Sequence, residues 1–328
     1  MSELESRLLA ALQRHCGEGF QLSACRRLSA GASAETYALD VDGPEGLQAL
    51  ILRRSATGQG FGVSVDKRTE AEVQQAASRH GVPAPAVAFI LDKEDELGEG
   101  YVMRRGEGET LPKRILEKPG FAVARENLTL HCAQTLAAIH AVPTDKLPKL
   151  AKLTAAPQLQ QIEAMYRNTP LLSPVFELAL RWLGKRLPEE VMPCLVHGDF
   201  RNGNLLVDTR GLQLVLDWEL THLGDPMEDL GWLCVNAWRF GHRDQAVGGF
   251  GQREDLYSAY EAASGINVDP GKARFWEVFG TLKWGVICVL QAMFHISGAV
   301  RSVERAAIGR RVSEVELDLL DLIEGRMP

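Results

Sequence analysis

His197, Gly198 and Asp199 stand together in the chain, and Asn204 follows five residues after Asp199. Two short β-prone runs come next, 205–207 and 212–216, joined by Asp208-Thr209-Arg210-Gly211, residue types that favour a turn. Asp217 closes the second run and leads into Trp218 and Glu219. Folding the runs as a hairpin brings the loop before the first strand towards the residues after the second. Asp199, Asn204 and Asp217 are therefore expected to converge at one end of that hairpin. Two carboxylates and an amide oxygen are hard ligands that suit Mg²⁺, which keeps several waters and completes its shell with phosphate oxygens. A carboxylate left off the metal could take or orient the proton of an attacking hydroxyl. Each residue alone also has a structural reading: Asp199 as a turn or capping residue, Asn204 as a left-handed turn residue, Asp217 as a helix cap. The three together at this spacing favour chemistry.

The elements around this island divide the chain in two. The first sixteen residues place Leu4, Leu8, Leu12 and Cys16 on one face, as an amphipathic helix does and a signal peptide does not. Residues 36–41 and 47–52 are β-prone, and Asp42-Gly43-Pro44-Glu45-Gly46 between them is strong turn chemistry, so an antiparallel hairpin is expected. Residues 66–80 predict a helix stopped by Gly81, Pro83 and Pro85. Residues 87–91 and 100–104 predict a further strand pair. Beyond Gly106 the pattern turns helical at 121–140, 157–168, 174–186, 255–264, 273–294 and 312–324. The fold class is α+β: a small lobe on an antiparallel sheet, residues 1–105, and a mostly helical lobe, residues 106–328.

H-G-D-x-x-x-x-N followed by a strand and D-W-E is similar to the aminoglycoside phosphotransferase and choline kinase branch of the protein-kinase-like fold. Within that branch, LDWELTHLGDPMEDLGWL and LKWGVICVLQAMFHISGAVRSVERAAIGRRVSEVE resemble the phosphotransferase-enzyme group that includes modules fused to acyl-CoA dehydrogenases. The resemblance spans residues 29–316. It implies a bilobal kinase-like fold with ATP in the cleft between the lobes. Asp199 would be the catalytic carboxylate, and Asn204 and Asp217 would hold Mg²⁺ between the ATP phosphates. His197 would brace the loop, and Glu219 would assist a second metal or the substrate. The stretch 28–37, with Gly31 and Ser33, matches the nucleotide-covering loop. Arg53 stands where the family usually has the phosphate-binding lysine; arginine can also bind phosphate, bidentately. Glu70 would pair with Arg53, with Glu72 as the rival. Met103 would lie at the hinge, where backbone amides meet the adenine edge.

Composition sets limits on partners. The 328 residues are 45% hydrophobic and 24% charged with a net charge of -7, values of a globular protein with no basic stripe for nucleic acid. Six scattered cysteines form no zinc-spaced pair and are expected as reduced core thiols in a cytoplasmic protein. The apolar run 284–294 is too short and too polar to span a bilayer. Asp225 is expected as a helix cap that can also bond the catalytic loop, and Trp232, Trp238, Trp276 and Trp284 as core, with the lining of an acceptor pocket as their alternative. The expected partner is a small-molecule hydroxyl acceptor, with no nucleic acid and no membrane; a homodimer is compatible with the sequence. Glu228, Asp229, Glu277 and Lys283 are mixed with Arg239, His242, Arg243 and Arg301, which does not suggest a polycation site. A sugar, an amino alcohol or a hydroxyacyl metabolite remain open as acceptors. Two other classes compete: a nucleotide-binding pseudokinase scaffold, which need not keep Asp199, Asn204 and Asp217 together, and a metal-dependent hydrolase, for which further His and Asp ligands are lacking.

Overall fold

The computed structural model describes residues 2–30, 34–55 and 64–326. At its start, the Ser2 hydroxyl accepts from the Glu5 N–H and the Glu5 carboxylate accepts from the Ser2 N–H, a reciprocal cap that opens α1 (Glu3–Cys16). α1 buries Leu8, Ala11 and Leu12. Five strands follow: β1 (Gln21–Ala30), β2 (Ala34–Gly43), β3 (Gly46–Ser55), β4 (Val87–Ile90) and β5 (Gly100–Arg104). They form one antiparallel sheet in the order β1-β2-β3-β5-β4. The expected hairpin is β2–β3, in register from Gly43 opposite Gly46 back to Ala34 opposite Ser55. Leu39 and Val41 of β2, Leu50 and Leu52 of β3 and Val102 of β5 meet Leu8 and Leu12 of α1 in a single apolar cluster. α2 (Lys67–Arg79) begins where the Asp66 carboxylate accepts from the Thr69 N–H at 2.8 Å, and ends at His80, as the sequence predicts.

These elements belong to a first compact unit made of Met1–Gly108, Val142–Leu150 and Gln213–Thr221. Its last segment is held from within. The Val215 N–H donates to the Pro83 carbonyl at 2.7 Å, and Trp218 is 0% exposed with its Nε1–H donating to the Val215 carbonyl at 3.1 Å.

The second unit comprises Glu109–Ala141, Ala151–Leu212 and His222–Pro328. Its elements are α3 (Pro112–Glu117), α4 (Ala122–His140), α5 (Ala155–Arg167), α6 (Pro174–Gly184), β6 (Cys194–Val196), β7 (Leu205–Val207), β8 (Leu212–Val215), β9 (His222–Gly224), α7 (Met227–Cys234), α8 (Arg253–Ser264), α9 (Pro270–Ile296), α10 (Val303–Gly309) and α11 (Val312–Glu324). The chain crosses into the first unit inside β8. β6 and β9 pair antiparallel, Leu195 opposite Leu223. α9 is the central helix, packed against α5, α6, α7, α10 and α11. It runs 27 residues with a mean hydropathy of 1.3 in its most apolar window, longer than the apolar run read from the sequence and long enough by length and composition to cross a membrane. Its buried positions, from Ala273 to Val289, lie inside this unit. All six cysteines are free; Cys132, Cys234 and Cys288 are buried as expected, whereas Cys16, at the end of α1, is exposed and Cys25 and Cys194 are only partly buried.

Candidate active site

The loop after β6 is positioned by one buried carboxylate. Asp229 on α7 is 0% exposed, and it accepts from the His197 N–H at 2.8 Å and the Gly198 N–H at 2.9 Å. Its Oδ2 is also 3.2 Å from His140 Nε2, and the other His140 nitrogen is 2.8 Å from the Tyr260 hydroxyl. Burial alone would push the Asp229 carboxyl up, but the bond to His140 and the charges of His140 and His197 outweigh it and hold it below the usual carboxylate range. Gly198 has φ of +79°, a backbone that a side chain would strain, which is why the residue before Asp199 is glycine. Asp225 caps α7 by accepting from the Met227 N–H at 2.9 Å. The His197 and Gly198 N–H groups of the loop are bonded by Asp229, four residues on from the capping Asp225.

The Asp199 carboxylate accepts from three donors within this unit. Its N–H donates to His197 Nδ1 at 3.2 Å, so His197 braces the loop. Oδ1 accepts from Arg201 Nε at 2.9 Å and from Trp232 Nε1 at 2.8 Å. Oδ2 accepts from Asn204 Nδ2 at 2.6 Å, and the same amide donates to the Asp199 carbonyl at 3.0 Å. With its nitrogen committed twice, Asn204 offers its amide oxygen as a lone-pair donor for a hard cation, and its buried position fixes that choice.

Asp217 stands in the first unit, grouped with Arg53. Arg53 lies on β3 opposite Tyr101 of β5. Its Nη2 donates to Asp217 Oδ1 and, at 2.9 Å, to Glu219 Oε2. Its Nε is 2.8 Å from Glu70 Oε1, an ion-pair distance without hydrogen-bond alignment. Glu70 is the partner and Glu72 is not among the residues of this cluster. Glu70 is fully buried, accepting from the Tyr101 hydroxyl at 3.0 Å and from Lys67 Nζ at 2.6 Å; Lys67 also reaches Glu219 Oε2 at 3.2 Å. Burial works against the charge on Arg53, yet Glu70, then Asp217, Tyr101 and Glu219 keep it more firmly protonated than a free arginine. Burial and the neighbouring Glu70 raise the Tyr101 hydroxyl well above its ordinary range, so it remains a donor. Two cations face three carboxylates here, and Asp217 is the most exposed of the five at 29%. Its φ of +67° is a left-handed backbone that aspartate tolerates but rarely adopts. The donor set suits an added hard cation at Asp217.

Met103 lies within β5 between β3 and β4, and the N–H groups of Arg104 and Arg105 already donate to the carbonyls of Ala86 and Ala49 at 2.8 and 2.9 Å. Those two amides are committed to the sheet. Gly31 and Ser33 lie outside the described residues. The sequence did not reveal Lys67, Arg201, Trp232 or the loop-bonding role of Asp229. Trp232 and Asp229 are about thirty residues from the loop they bond, and only the α7 fold joins them.

A sheet unit carrying a buried Arg–Glu pair and a helical unit carrying an H-G-D loop define a kinase-like phosphotransferase. Residues 24–266 match the model of the Phosphotransferase enzyme family, and the chain belongs to that family. Among solved structures it resembles a Ralstonia eutropha protein provisionally called an aminoglycoside phosphotransferase, with a TM-score of 0.76, 22% identity and 98% of each chain covered. It also resembles a choline/ethanolamine kinase family protein from Mesorhizobium loti, with a TM-score of 0.66, 17% identity and coverage of 99% and 100%. A third is the aminoglycoside phosphotransferase APH(4)-Ia in ternary complex with AMP-PNP and hygromycin B, with a TM-score of 0.62, 16% identity and coverage of 97% and 98%. Among curated proteins, Acyl-CoA dehydrogenase family member 11 of Pongo abelii is 27% identical over 87% of this chain and 37% of its own length. Family member 10 of Mus musculus is 29% identical over 57% of this chain and 18% of its own length. The chain thus spans about a third or less of the curated relatives it matches.

Proposed function

We propose that this protein is an ATP- and Mg²⁺-dependent phosphotransferase that phosphorylates a hydroxyl of a small molecule. The observation that carries this reading is the Asp199–Asn204 pair, 2.6 Å apart on a loop pinned by buried Asp229. In the proposed reaction an acceptor hydroxyl oxygen attacks the γ-phosphorus. A new O–P bond forms, the bond from the γ-phosphorus to the β–γ bridging oxygen breaks, and ADP leaves with that electron pair. The hydroxyl proton passes to the Asp199 carboxylate, whose Oδ2 holds one donor and keeps a lone pair for the acceptor hydroxyl. Asn204 and Asp217 would hold Mg²⁺, which supplies charge neutralisation for the phosphates when bound. Arg53 would bind phosphate oxygens, with Glu70 fixing the orientation of its guanidinium.

Hygromycin B accompanies AMP-PNP in the APH(4)-Ia structure, and the curated relatives are named as acyl-CoA dehydrogenase family members. The acceptor classes consistent with both are an aminoglycoside-like sugar, an amino alcohol and a hydroxyacyl metabolite. An ATP-dependent reaction and six free thiols fit a cytoplasmic protein.

Thermal unfolding with ATP and Mg²⁺, separately and together, tests the proposal. A ligand bound only by the native state at about 100 times its Kd stabilises by about 2.7 kcal/mol. ATP is expected to raise the wild-type Tm by several degrees, Mg²⁺ to enlarge that shift, and Asp217→Ala to abolish the enlargement. No nucleotide effect at saturating concentration would sink the proposal. The second reading, a nucleotide-binding scaffold, is favoured by the three donors already on Asp199, from Arg201, Trp232 and Asn204. It predicts nucleotide binding that needs no Mg²⁺ and no ADP formation with any acceptor.

A further inference from the structure

Three indoles pack at tilted angles in a row beside Asp199 within the second unit. The ring centroids of Trp232 and Trp238 are 5.1 Å apart, and those of Trp238 and Trp284 are 4.9 Å apart. The row starts at the carboxylate itself, because Trp232 donates its Nε1–H to Asp199. Each ring carries a cation. Lys283 Nζ lies 5.0 Å from the centroid of Trp232, the Arg201 guanidinium 4.5 Å from Trp238 and the Arg311 guanidinium 5.9 Å from Trp284.

The three cations are not equally compensated. Arg201 is paired with Asp199 at 2.9 Å and Arg311 with Glu314 at 3.1 Å. Half-buried Lys283 has no carboxylate at salt-bridge distance among the described residues. The indole Nε1–H groups of Trp238 and Trp284 are buried without an acceptor among the described residues, so two uncompensated N–H dipoles lie in the same aromatic row. A polycationic acceptor would meet Lys283 uncompensated here, while the carboxylates of Asp199 and Glu314 are already offset by Arg201 and Arg311. An anionic group would supply the counter-ion Lys283 lacks.

We infer that the acceptor is an anion: a hydroxyl compound bearing a carboxylate or phosphate group a few bonds from the hydroxyl, read by Lys283. The position of the hydroxyl at Asp199 rests on the phosphotransferase proposal, whereas the preference for negative charge does not.

The test uses four hydroxyl compounds as probes: 3-hydroxybutyrate, glycerol 3-phosphate, the neutral 1,3-butanediol and the cationic choline. Each is titrated into the full chain without nucleotide, with intrinsic tryptophan fluorescence as the readout. At least one anion is expected to bind about tenfold or more tightly than the diol or choline, and the carboxylate and phosphate arms show which group is read. Lys283→Met is expected to lose about tenfold for that anion and to leave the diol unchanged, while Lys283→Arg restores binding to within about threefold. Lys283→Gln serves if the methionine variant does not fold, and the four-probe comparison on wild type stands without either. Equal binding of the diol or choline, no binding of either anion, or uniform weakening of all probes in Lys283→Met would overturn the inference. ADP formation with ATP and Mg²⁺ is then measured for each probe. Selective anion binding with no acceptor-dependent ADP would remove the phosphotransferase proposal and leave the anion site standing.

Discussion

Asp229 touches neither proposed substrate, yet it fixes the loop that carries Asp199. Replacing it by alanine would remove the acceptor for the His197 and Gly198 N–H groups and leave His140 without its carboxylate. Leaving buried N–H donors without an acceptor costs about 1–3 kcal/mol each, so Asp229→Ala is expected to lower the unfolding free energy from urea titration by at least about 2 kcal/mol. The same residue sets a pH dependence. Its folded-state pKa is depressed, so its contribution to stability is present above the ordinary carboxyl pKa and is lost as pH falls through the depressed value. Wild type should lose more stability than Asp229→Asn between mildly acidic and strongly acidic pH; parallel curves from urea titrations would refute this. Arg53 makes a second residue-scale case. It reaches three carboxylates with one planar fork, which a lysine cannot do. Arg53→Lys is expected to weaken ATP binding about tenfold while the protein stays folded, as isothermal calorimetry and circular dichroism would report together.

At the scale of elements, α7 is the bracket of the second unit, carrying Asp229, Trp232 and the cap at Asp225. It lies so close to α9 that a Cβ on Gly231 would sit 2.7 Å from the Glu277 backbone nitrogen and 2.7 Å from the Trp276 side chain. A backbone nitrogen inside a 27-residue helix cannot step aside. Gly231→Ala is therefore expected to destabilise by about 1–3 kcal/mol, read as a fall in Tm of several degrees; an unchanged Tm would show that the helices separate freely. Much of this level was legible beforehand. The helix over 66–80 with its stop and the β2–β3 turn follow from residues a few positions apart, where local hydrogen bonding decides. β1 was not singled out, because QLSACRRLSA lacks the alternation of a half-buried strand and is held by its ladder to β2. α3 and α10 are six and seven residues long, too short to show a helical period. The Trp232–Asp199 bond was illegible for another reason: an indole in an apolar run looks like core, and Trp232 is nearly buried as well as bonded.

For the whole molecule, the two units are interleaved along the chain, and no single cut separates them. The first unit needs residues 213–221, which bring buried Trp218 and the two carboxylates that share Arg53 and Lys67 with Glu70. A fragment of residues 1–108 keeps all five strands of the sheet but loses those partners. It is expected to unfold without a cooperative transition in urea, and addition of a peptide covering 213–221 should restore part of the transition. A fragment that unfolds as sharply as the full chain would show that the sheet and α1 suffice.

The same interleaving sets a clock on the ribosome. Thr221 lies 113 residues after Gly108, and at about 5–20 residues per second its synthesis follows by roughly 6 to 23 s. Throughout that interval the nascent sheet holds two buried cations against a single carboxylate, with the space for an indole still unfilled. A chaperone that shields the emerging sheet would matter most during those seconds, and slow codons between 109 and 221 would lengthen its exposure.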